Sequence, residues 1–203
     1  MPDIILPFDT ETTGLYRKNS PLTSPDQPHL VSLSALQVRT NDLYIMQSMS
    51  KVVQPDGYEW DDSETSSDRA FAVHKLSMDY CLDYGRSEKE VLDEFLHLWN
   101  EGKSHVVAHN LAFDAGLIAV AIARYYGQGE LLKAWVSSEG TCTMQSSKIM
   151  VDARNAKGHK KSPNLAEAYE FFTGEALTDH HSANRDAVAA LQIWVGIQEH
   201  DAG

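Results

Sequence analysis

Two acidic residues, Asp9 and Glu11, stand at the end of a short apolar run that begins at Ile4. Residues two apart on a strand point to the same side, so these carboxylates would be forced together. Crowded carboxylates raise each other's pKa unless cations neutralise them, and oxygen ligands are those that hard divalent cations prefer. The pair therefore indicates a metal site. The alternative is a solvated strand end followed by a turn at Gly14.

A third acidic residue, Asp114, ends a second stretch, residues 109–114, where a predicted strand is followed by a long apolar helix. Asp114 would open that helix. Asp is a favoured N-cap residue and Asn110 is of a type common in turns, so a purely structural interpretation remains open here.

A third stretch holds His181 and Asp186, followed by a helical apolar face. Five residues on a helix turn through about 140°, so both side chains can face one site only if His181 precedes the helix. The alternative is that Asp186 interacts with the helix dipole and that His180 and His181 form a polar loop.

Together, the three stretches resemble the motifs of the DEDDh, or DnaQ-like, exonuclease family. Residues 8–14 are similar to the first motif as found in the proofreading subunit of bacterial replicative DNA polymerases. Residues 109–114 are similar to the second motif, and His181 with four residues before Asp186 fits the third in its histidine form. The resemblance spans nearly the whole chain. It departs from the family in Pro7 and in a longer, more acidic loop at residues 56–68.

The resemblance implies a role for each of these residues. Asp9, Glu11, Asp114 and Asp186 would bind two Mg²⁺ or Mn²⁺ ions, and Glu11 also counts among the catalytic residues. Two such cations can stabilise both the attacking and the leaving oxygen of an in-line phosphoryl displacement. His181 would accept the proton of the attacking water, since imidazole titrates near neutral pH.

The resemblance also implies a pocket for the terminal nucleotide. Its lining would be Thr10, Thr12, Gly14, Leu15, Asn110 and Phe113. For Leu15 and Phe113, a position in the hydrophobic core is the alternative. The basic stretch at residues 154–161 is a candidate for phosphate contacts through Lys157, Lys160 and Lys161, and ordinary solvated surface is the alternative.

The net charge of −12 is unusual for a nucleic-acid-binding protein, which typically carries a basic surface. Carboxylates that face bound cations cease to repel a substrate, and an enzyme that holds a few terminal nucleotides needs few phosphate contacts. The two cysteines, Cys81 and Cys142, are far apart in the sequence, which favours reduced thiols. No stretch is apolar enough to cross a membrane, and the start of the chain lacks the features of a signal peptide. We expect a cytoplasmic location.

The order of predicted elements favours an α/β protein with a single exonuclease domain over residues 1–203. Strands are predicted at residues 4–8, 30–38, 43–53 and 105–108, with a weak strand within 139–151; helices are predicted at residues 88–99, 114–126, 165–172 and 183–198. Residues 17–29, 54–68 and 154–161 are predicted loops. Pro7 predicts an irregularity in the first strand. The resemblance implies an RNase H-like fold, a five-stranded mixed sheet flanked by helices with its second strand antiparallel.

These features predict a metal-dependent 3′–5′ exonuclease that removes nucleoside 5′-monophosphates from nucleic acid, with single-stranded 3′ ends of DNA favoured by the proofreading-like first motif. One alternative is an RNA-trimming exonuclease of the same family, because the sequence does not reveal the contact to the 2′-OH that distinguishes RNA from DNA. The other is a catalytically silent nucleic-acid-binding module, against which the four carboxylates and the histidine argue. A polymerase or other replication protein is a candidate partner, and with the sequence ending at Gly203 we expect it to dock on the domain itself.

Overall fold

A six-stranded mixed β-sheet forms the centre of the computed structural model, which describes residues 1–63, 69–101, 104–178 and 182–202. The strands are β1 (Ile4–Thr12), β2 (Leu30–Arg39), β3 (Tyr44–Gln54), β4 (Arg86–Ser87), β5 (His105–Ala108) and β6 (Gly140–Cys142). Their order is β4-β3-β2-β1-β5-β6, and β2 runs opposite to the others. The predicted fold class and the antiparallel second strand are confirmed. The sheet gains a sixth strand beyond the predicted five, because the two residues of β4 pair with the end of β3.

Helices cover both faces of this sheet. They are α1 (Arg69–His74), α2 (Met78–Tyr84), α3 (Glu88–Glu101), α4 (Leu111–Tyr126), α5 (Glu130–Val136), α6 (Thr143–Ser146) with a 3₁₀ turn at Ser147–Ile149, α7 (Leu165–Thr173) and α8 (Ala183–Ala202). The four predicted helices are confirmed. Helices α1, α2, α5 and α6 were not predicted, because each has seven residues or fewer and is too short to display a helical repeat.

The alternation of side chains along β1 divides the core into two layers. Leu6 and Phe8 point to one face, where they join the cluster formed by α3 and α4. Ile5 points to the other face and packs with Trp194 of α8. Elements on opposite sides of the sheet thus meet the same strand, which allows them to bring side chains to its end.

Pro7 lies in a central strand, between β2 and β5. It pairs with Val107 of β5, whereas the register with β2 passes from Ile5 directly to Phe8. The predicted irregularity is confirmed, and its cause is that proline has no N–H to donate to β2. A register shift between Glu11 and Thr12 then interrupts the ladder with β2 next to the acidic residues, before Thr12 pairs with Leu30.

The acidic segment after β3 is more than the surface loop that its composition predicts. Trp60 is buried against Val31 and Cys81, and its indole N–H donates to the carbonyl of Leu76 at 3.1 Å. Aromatic residues embedded among acidic ones gave no periodic signal, so this burial was not predicted. In the part of the chain that the structure describes, no helix is long and apolar enough to cross a membrane.

Candidate active site

Three carboxylates converge at the end of β1. Asp9 and Glu11 project from the face of the strand that α8 covers, and Asp186 lies in the first turn of α8. Each contributes one oxygen to a set whose members all lie within 4.8 Å of one another. The predicted same-side placement of Asp9 and Glu11 is thereby found, and the third acid arrives from a segment 175 residues further along the chain.

Asp114 reaches the same region from the opposite face of the sheet. Its Oδ1 accepts hydrogen bonds from the backbone N–H of Thr10 at 3.2 Å and from the Thr10 hydroxyl at 2.8 Å. Helix α4 begins at Leu111, so Asp114 lies inside its first turn and is buried. The interpretation of Asp114 as an N-cap is therefore wrong. Asn110 occupies the cap position instead, and the side chain of Asp114 is directed at β1.

Burial and mutual repulsion make these acids difficult to ionise. The pKa of Asp9 lies well above its ordinary value, mainly because of burial and then because of the charges of Asp114, Asp186 and Glu11. Burial, with the charges of Asp186 and Asp114, raises the pKa of Glu11 to about 8. Burial also raises the pKa of Asp114 to about 7, although its bonds from Thr10 act in the opposite direction. Without a cation, the cluster is an electrostatically unfavourable arrangement.

The turn between β5 and α4 forms the wall beside the acids. Asn110 adopts a positive φ of 109°, a conformation that asparagine tolerates better than most residues, and its carbonyl accepts from the N–H of Phe113 at 2.8 Å. His109, just before it, bonds through Nδ1 to the Thr143 hydroxyl at 3.0 Å and through Nε2 to the carbonyl of Pro163 at 3.2 Å. Burial lowers the pKa of His109. His109 therefore ties the start of α7 to the turn, a role that sequence analysis missed.

The acids open into a cavity of about 440 Å³, which we call the carboxylate cavity. It is lined by Asp9, Thr10, Glu11, Val73, His109, Asn110, Phe113, Asp114, Asn164, Leu165, Ala166 and Asp186. The lining unites β1, α1, α4, α7 and α8. Seven of the predicted site residues that the structure describes therefore share one cavity with His109 and with residues of α1 and α7 that were not predicted.

A second cavity of about 550 Å³, which we call the side cavity, adjoins the first through four shared residues, among them Glu11 and Phe113. Its remaining lining is Thr12, Thr13, Gly14, Leu15, Arg69 and Ala70. Leu15 is 80% exposed, so the alternative of a core position for Leu15 is wrong. Phe113 both packs against the core and lines the two cavities, which reconciles its two interpretations. The residues of α1 were missed because that helix gave no sequence signal.

The carboxylate cavity fits a divalent cation by the chemistry of its donors. Three carboxylate oxygens within 4.8 Å of one another are hard oxygen ligands, and a cation would remove the repulsion that raises the pKa values of the acids. Asp114 lies outside that three-oxygen set, held by Thr10 on the same cavity wall. Its role as a metal ligand stays a prediction.

The predicted basic residues do not line either cavity. Residues 154–161 form a small hairpin, closed by an isolated bridge between Arg154 and Lys160. Lys160 lies 3.8 Å from Asp152, and Lys161 pairs with Glu167, whereas Lys157 has no ion pair with any residue that the structure describes. The three lysines are not among the described residues that line either cavity. His181, the predicted general base, and His180 fall outside the described residues.

A carboxylate-lined cleft at the end of β1, in a mixed sheet whose second strand is antiparallel, defines a protein of the RNase H-like fold class with a candidate metal site. The model of the RNase T exonuclease family, described as an exonuclease, matches residues 6–194. The chain belongs to the RNase T exonuclease family. The predicted class of enzyme, an exonuclease, is confirmed at the family level. No curated protein matches the chain in sequence.

Solved structures of exonucleases share the fold. Escherichia coli exonuclease I in complex with a 5cy-dT13 oligonucleotide aligns with a TM-score of 0.74 at 14% identity, over 100% of this chain and 42% of that chain. A product-bound exonuclease I aligns with a TM-score of 0.70 at 15% identity, over 98% of this chain and 44% of that one. The nuclease domain of 3′hExo, a DEDDh family member bound to rAMP, gives a TM-score of 0.66 at 12% identity over 100% and 94%. The chain thus spans about two fifths of exonuclease I.

Proposed function

We propose that this protein is a metal-dependent 3′–5′ exonuclease that releases nucleoside 5′-monophosphates from single-stranded 3′ ends of DNA. The observation that carries the proposal is the convergence of Asp9, Glu11 and Asp186 within 4.8 Å in a chain of an exonuclease family. Residues 1–203 act as a single exonuclease domain in this proposal, and the predicted cytoplasmic location stays a prediction.

The cation-binding part of the site consists of the three converging acids, with Asp114 as the fourth. Two Mg²⁺ or Mn²⁺ ions, when bound, supply charge stabilisation to the attacking and leaving oxygens of the phosphodiester. Thr10 orients Asp114 through its two hydrogen bonds, so that β1 carries two of the carboxylates and positions a third, whereas Asp186 comes from α8. His181 takes the proton of the attacking water, a role assigned by its spacing from Asp186.

The terminal nucleotide occupies the side cavity. Thr12 is almost fully buried, and its hydroxyl donates to the carbonyl of Gly14 at 2.7 Å, which fixes the turn that presents Leu15. Exposed Leu15 and half-buried Phe113 offer apolar surfaces to a base or sugar, and base contacts of this kind tolerate any sequence. Asn110 lines the carboxylate cavity, in which the reacting phosphate would lie.

DNA is the proposed substrate because residues 8–14 resemble the proofreading form of the first motif. The aligned exonucleases include complexes with oligodeoxynucleotides and one with rAMP, so RNA trimming is the second candidate function. The same resemblance makes a replication polymerase the partner to test. The presence of all four carboxylates in one region of the structure argues against a catalytically silent module.

Oligonucleotides blocked at one end test the proposal. Each substrate is a single-stranded 20-mer of DNA or RNA that carries an internal label and either a 3′-terminal or a 5′-terminal phosphorothioate block. We expect Mg²⁺-dependent shortening of the 5′-blocked DNA and protection of the 3′-blocked DNA. Faster shortening of the RNA would move the proposal to the exoribonuclease. Equal protection by both blocks, or cuts at internal positions, would contradict exonuclease action from the 3′ end.

A further inference from the structure

A buried charged group contacts the end of residues 13–29, the segment whose first residues line the side cavity. Glu88, the first residue of α3, is 3% exposed. Its carboxylate accepts hydrogen bonds from α4 and from the start of β2. The donors are Nη1 of Arg124 at 2.8 and 2.9 Å, the hydroxyl of Tyr125 at 2.9 Å, and the backbone N–H of Leu30 at 2.9 Å. Nδ1 of His29 lies 2.9 Å from it. None of these five residues lines either of the two cavities described above.

The carboxylate of Glu88 stays ionised in this setting. Burial alone would raise its pKa, but the bond from His29, the charge of Arg124 and the N–H of Leu30 outweigh it and hold the pKa below the usual range. Because a carboxylate only accepts, Nδ1 of His29 must carry a proton. One face of the His29 ring stacks on the ring of Tyr58, with the ring centroids 3.9 Å apart and the two planes 14° from parallel. The position of His29 is thus fixed by a bond and by a stacked ring.

His29 is bonded in turn to the segment that lines the side cavity. Its backbone N–H donates to the hydroxyl of Thr13 at 3.0 Å, and its carbonyl accepts from the N–H of Thr13 at 3.0 Å. Thr13 is followed by Gly14 and Leu15, and all three line the side cavity. Leu15 has little packing of its own, since it is 80% exposed, so its position depends on the backbone before it.

The same segment has further attachments to the helices. Nη2 of Arg124 donates to the carbonyls of Gln27 and Pro28 at 3.3 and 3.0 Å. Tyr16 packs so closely on α4 that a Cβ at Gly116 would lie 2.5 Å from its ring. A segment of this length without helix or strand costs considerable conformational entropy to order, and these bonds oppose that cost. The charged group therefore fixes the wall of the side cavity to α3 and α4.

We propose that Glu88 and His29 are positioning residues for the terminal nucleotide, which act through Thr13 on Leu15. This inference rests on the proposed function and assigns to the side cavity a support that does not touch the substrate. Binding of the nucleotide depends on the position of this wall, whereas the carboxylates are held by β1, by α8 and by the first turn of α4, at the end of that helix opposite Arg124. Loss of the support should therefore weaken substrate binding and leave metal binding intact, since an interaction lost equally in ground and transition states changes KM and not kcat.

The test compares Glu88→Gln and His29→Phe with a control of matched stability. His29→Phe keeps a ring for Tyr58 and removes the bond to Glu88, and His29 has a side chain that is 23% exposed, so this variant is the one that folds most readily. Leu98→Ala removes a buried side chain at the other end of α3. The measurements are KM and kcat on a single-stranded DNA 20-mer, the affinity for Mn²⁺ by calorimetry, and Tm.

We expect KM to rise on the order of 10- to 100-fold in both variants, with kcat and Mn²⁺ affinity close to wild type. Leu98→Ala should lower Tm by at least as much and leave KM unchanged. The inference would be overturned by any of three results: an unchanged KM in His29→Phe, an equal rise of KM in Leu98→Ala, or a parallel loss of Mn²⁺ affinity. In each of these cases an active wild-type protein would still support the proposed function. A wild-type protein that degrades no nucleic acid would overturn the proposed function and this inference with it.

Discussion

Glu11→Gln should stabilise the metal-free protein at alkaline pH. The folded protein holds the Glu11 proton up to a pKa of about 8, against an ordinary value of 4.5, mainly because of burial and then because of Asp186 and Asp114. The folded state therefore binds more protons than the unfolded state between these two pH values. Stability falls as pH rises through this window, and the loss is complete above about pH 8. Glutamine has nearly the same shape and no charge, so it avoids that loss.

The size of the effect follows from the gap between the two pKa values. That gap corresponds to an upper bound of about 5 kcal/mol above pH 8 in the absence of metal. Because the neighbouring carboxylates share the protons of the cluster, we expect one substitution to recover about 2 kcal/mol. For a chain of 203 residues, this is a rise in Tm of roughly 4–8 °C.

Thermal unfolding in EDTA at pH 5 and pH 9 measures this prediction. We expect nearly equal Tm values for wild type and Glu11→Gln at pH 5 and the higher Tm for the variant at pH 9. Saturating Mn²⁺ should reverse the order, because it stabilises the protein that binds it better. Glu170→Gln, at an exposed position on α7, is the control and should change little. A variant that is less stable than wild type at pH 9 in EDTA, or a difference that does not grow with pH, would refute the electrostatic reasoning.

Three further predictions concern substrate handling. His181→Ala should lose about 10²–10⁴-fold in kcat with Mg²⁺ saturating, whereas His180→Ala should be nearly silent; kinetics across pH 5–9 would show the motif to be misplaced if the two results were exchanged. Arg69 is the only arginine or lysine among the described residues that line the two cavities, so Arg69→Gln should reduce the log–log slope of single-stranded DNA binding against salt by about 0.7. An unchanged slope would show that Arg69 does not contact the substrate. Lys157→Gln should reduce that slope in the same way. Lys161→Gln should have a smaller effect, because Lys161 is already paired with Glu167. Equal slopes for both variants and wild type would show that the hairpin at residues 154–161 does not contact the substrate.

The sequence carried enough information to predict the four major helices, which have a hydrophobic repeat, and the four longer strands, which are apolar or β-rich runs. The sequence also predicts that Asp9 and Glu11 lie together, because residues two apart on one strand point to the same side whatever the tertiary structure. The start of α4 was misplaced by three residues, since Asp114 is of a type that usually caps a helix while Asn110 does so here with a positive φ. Only the fold reveals that Asp114 is directed at Thr10.

The support behind the side cavity shows what could not be predicted. Glu88 and Arg124 are charged residues at two helix ends, 36 positions apart, and their types indicate exposed surface. Their burial arises from the way residues 13–29 fold over both helix ends, which no local pattern encodes. Helix α1 escaped for a different reason, because its six residues are too few for a repeat, although it contributes Arg69 and Val73 to the cavities.

The most direct test of the central claim is a time course with 5′-labelled single-stranded DNA for wild type, Asp9→Asn and Asp83→Asn. Asp83 lies exposed in α2 and serves as the matched control. We expect a ladder that shortens from the 3′ end with release of nucleoside 5′-monophosphates. EDTA and Asp9→Asn should abolish this shortening, and Asp83→Asn should leave it unaffected. Degradation that persists in EDTA, or that Asp9→Asn carries out at the wild-type rate, would contradict it.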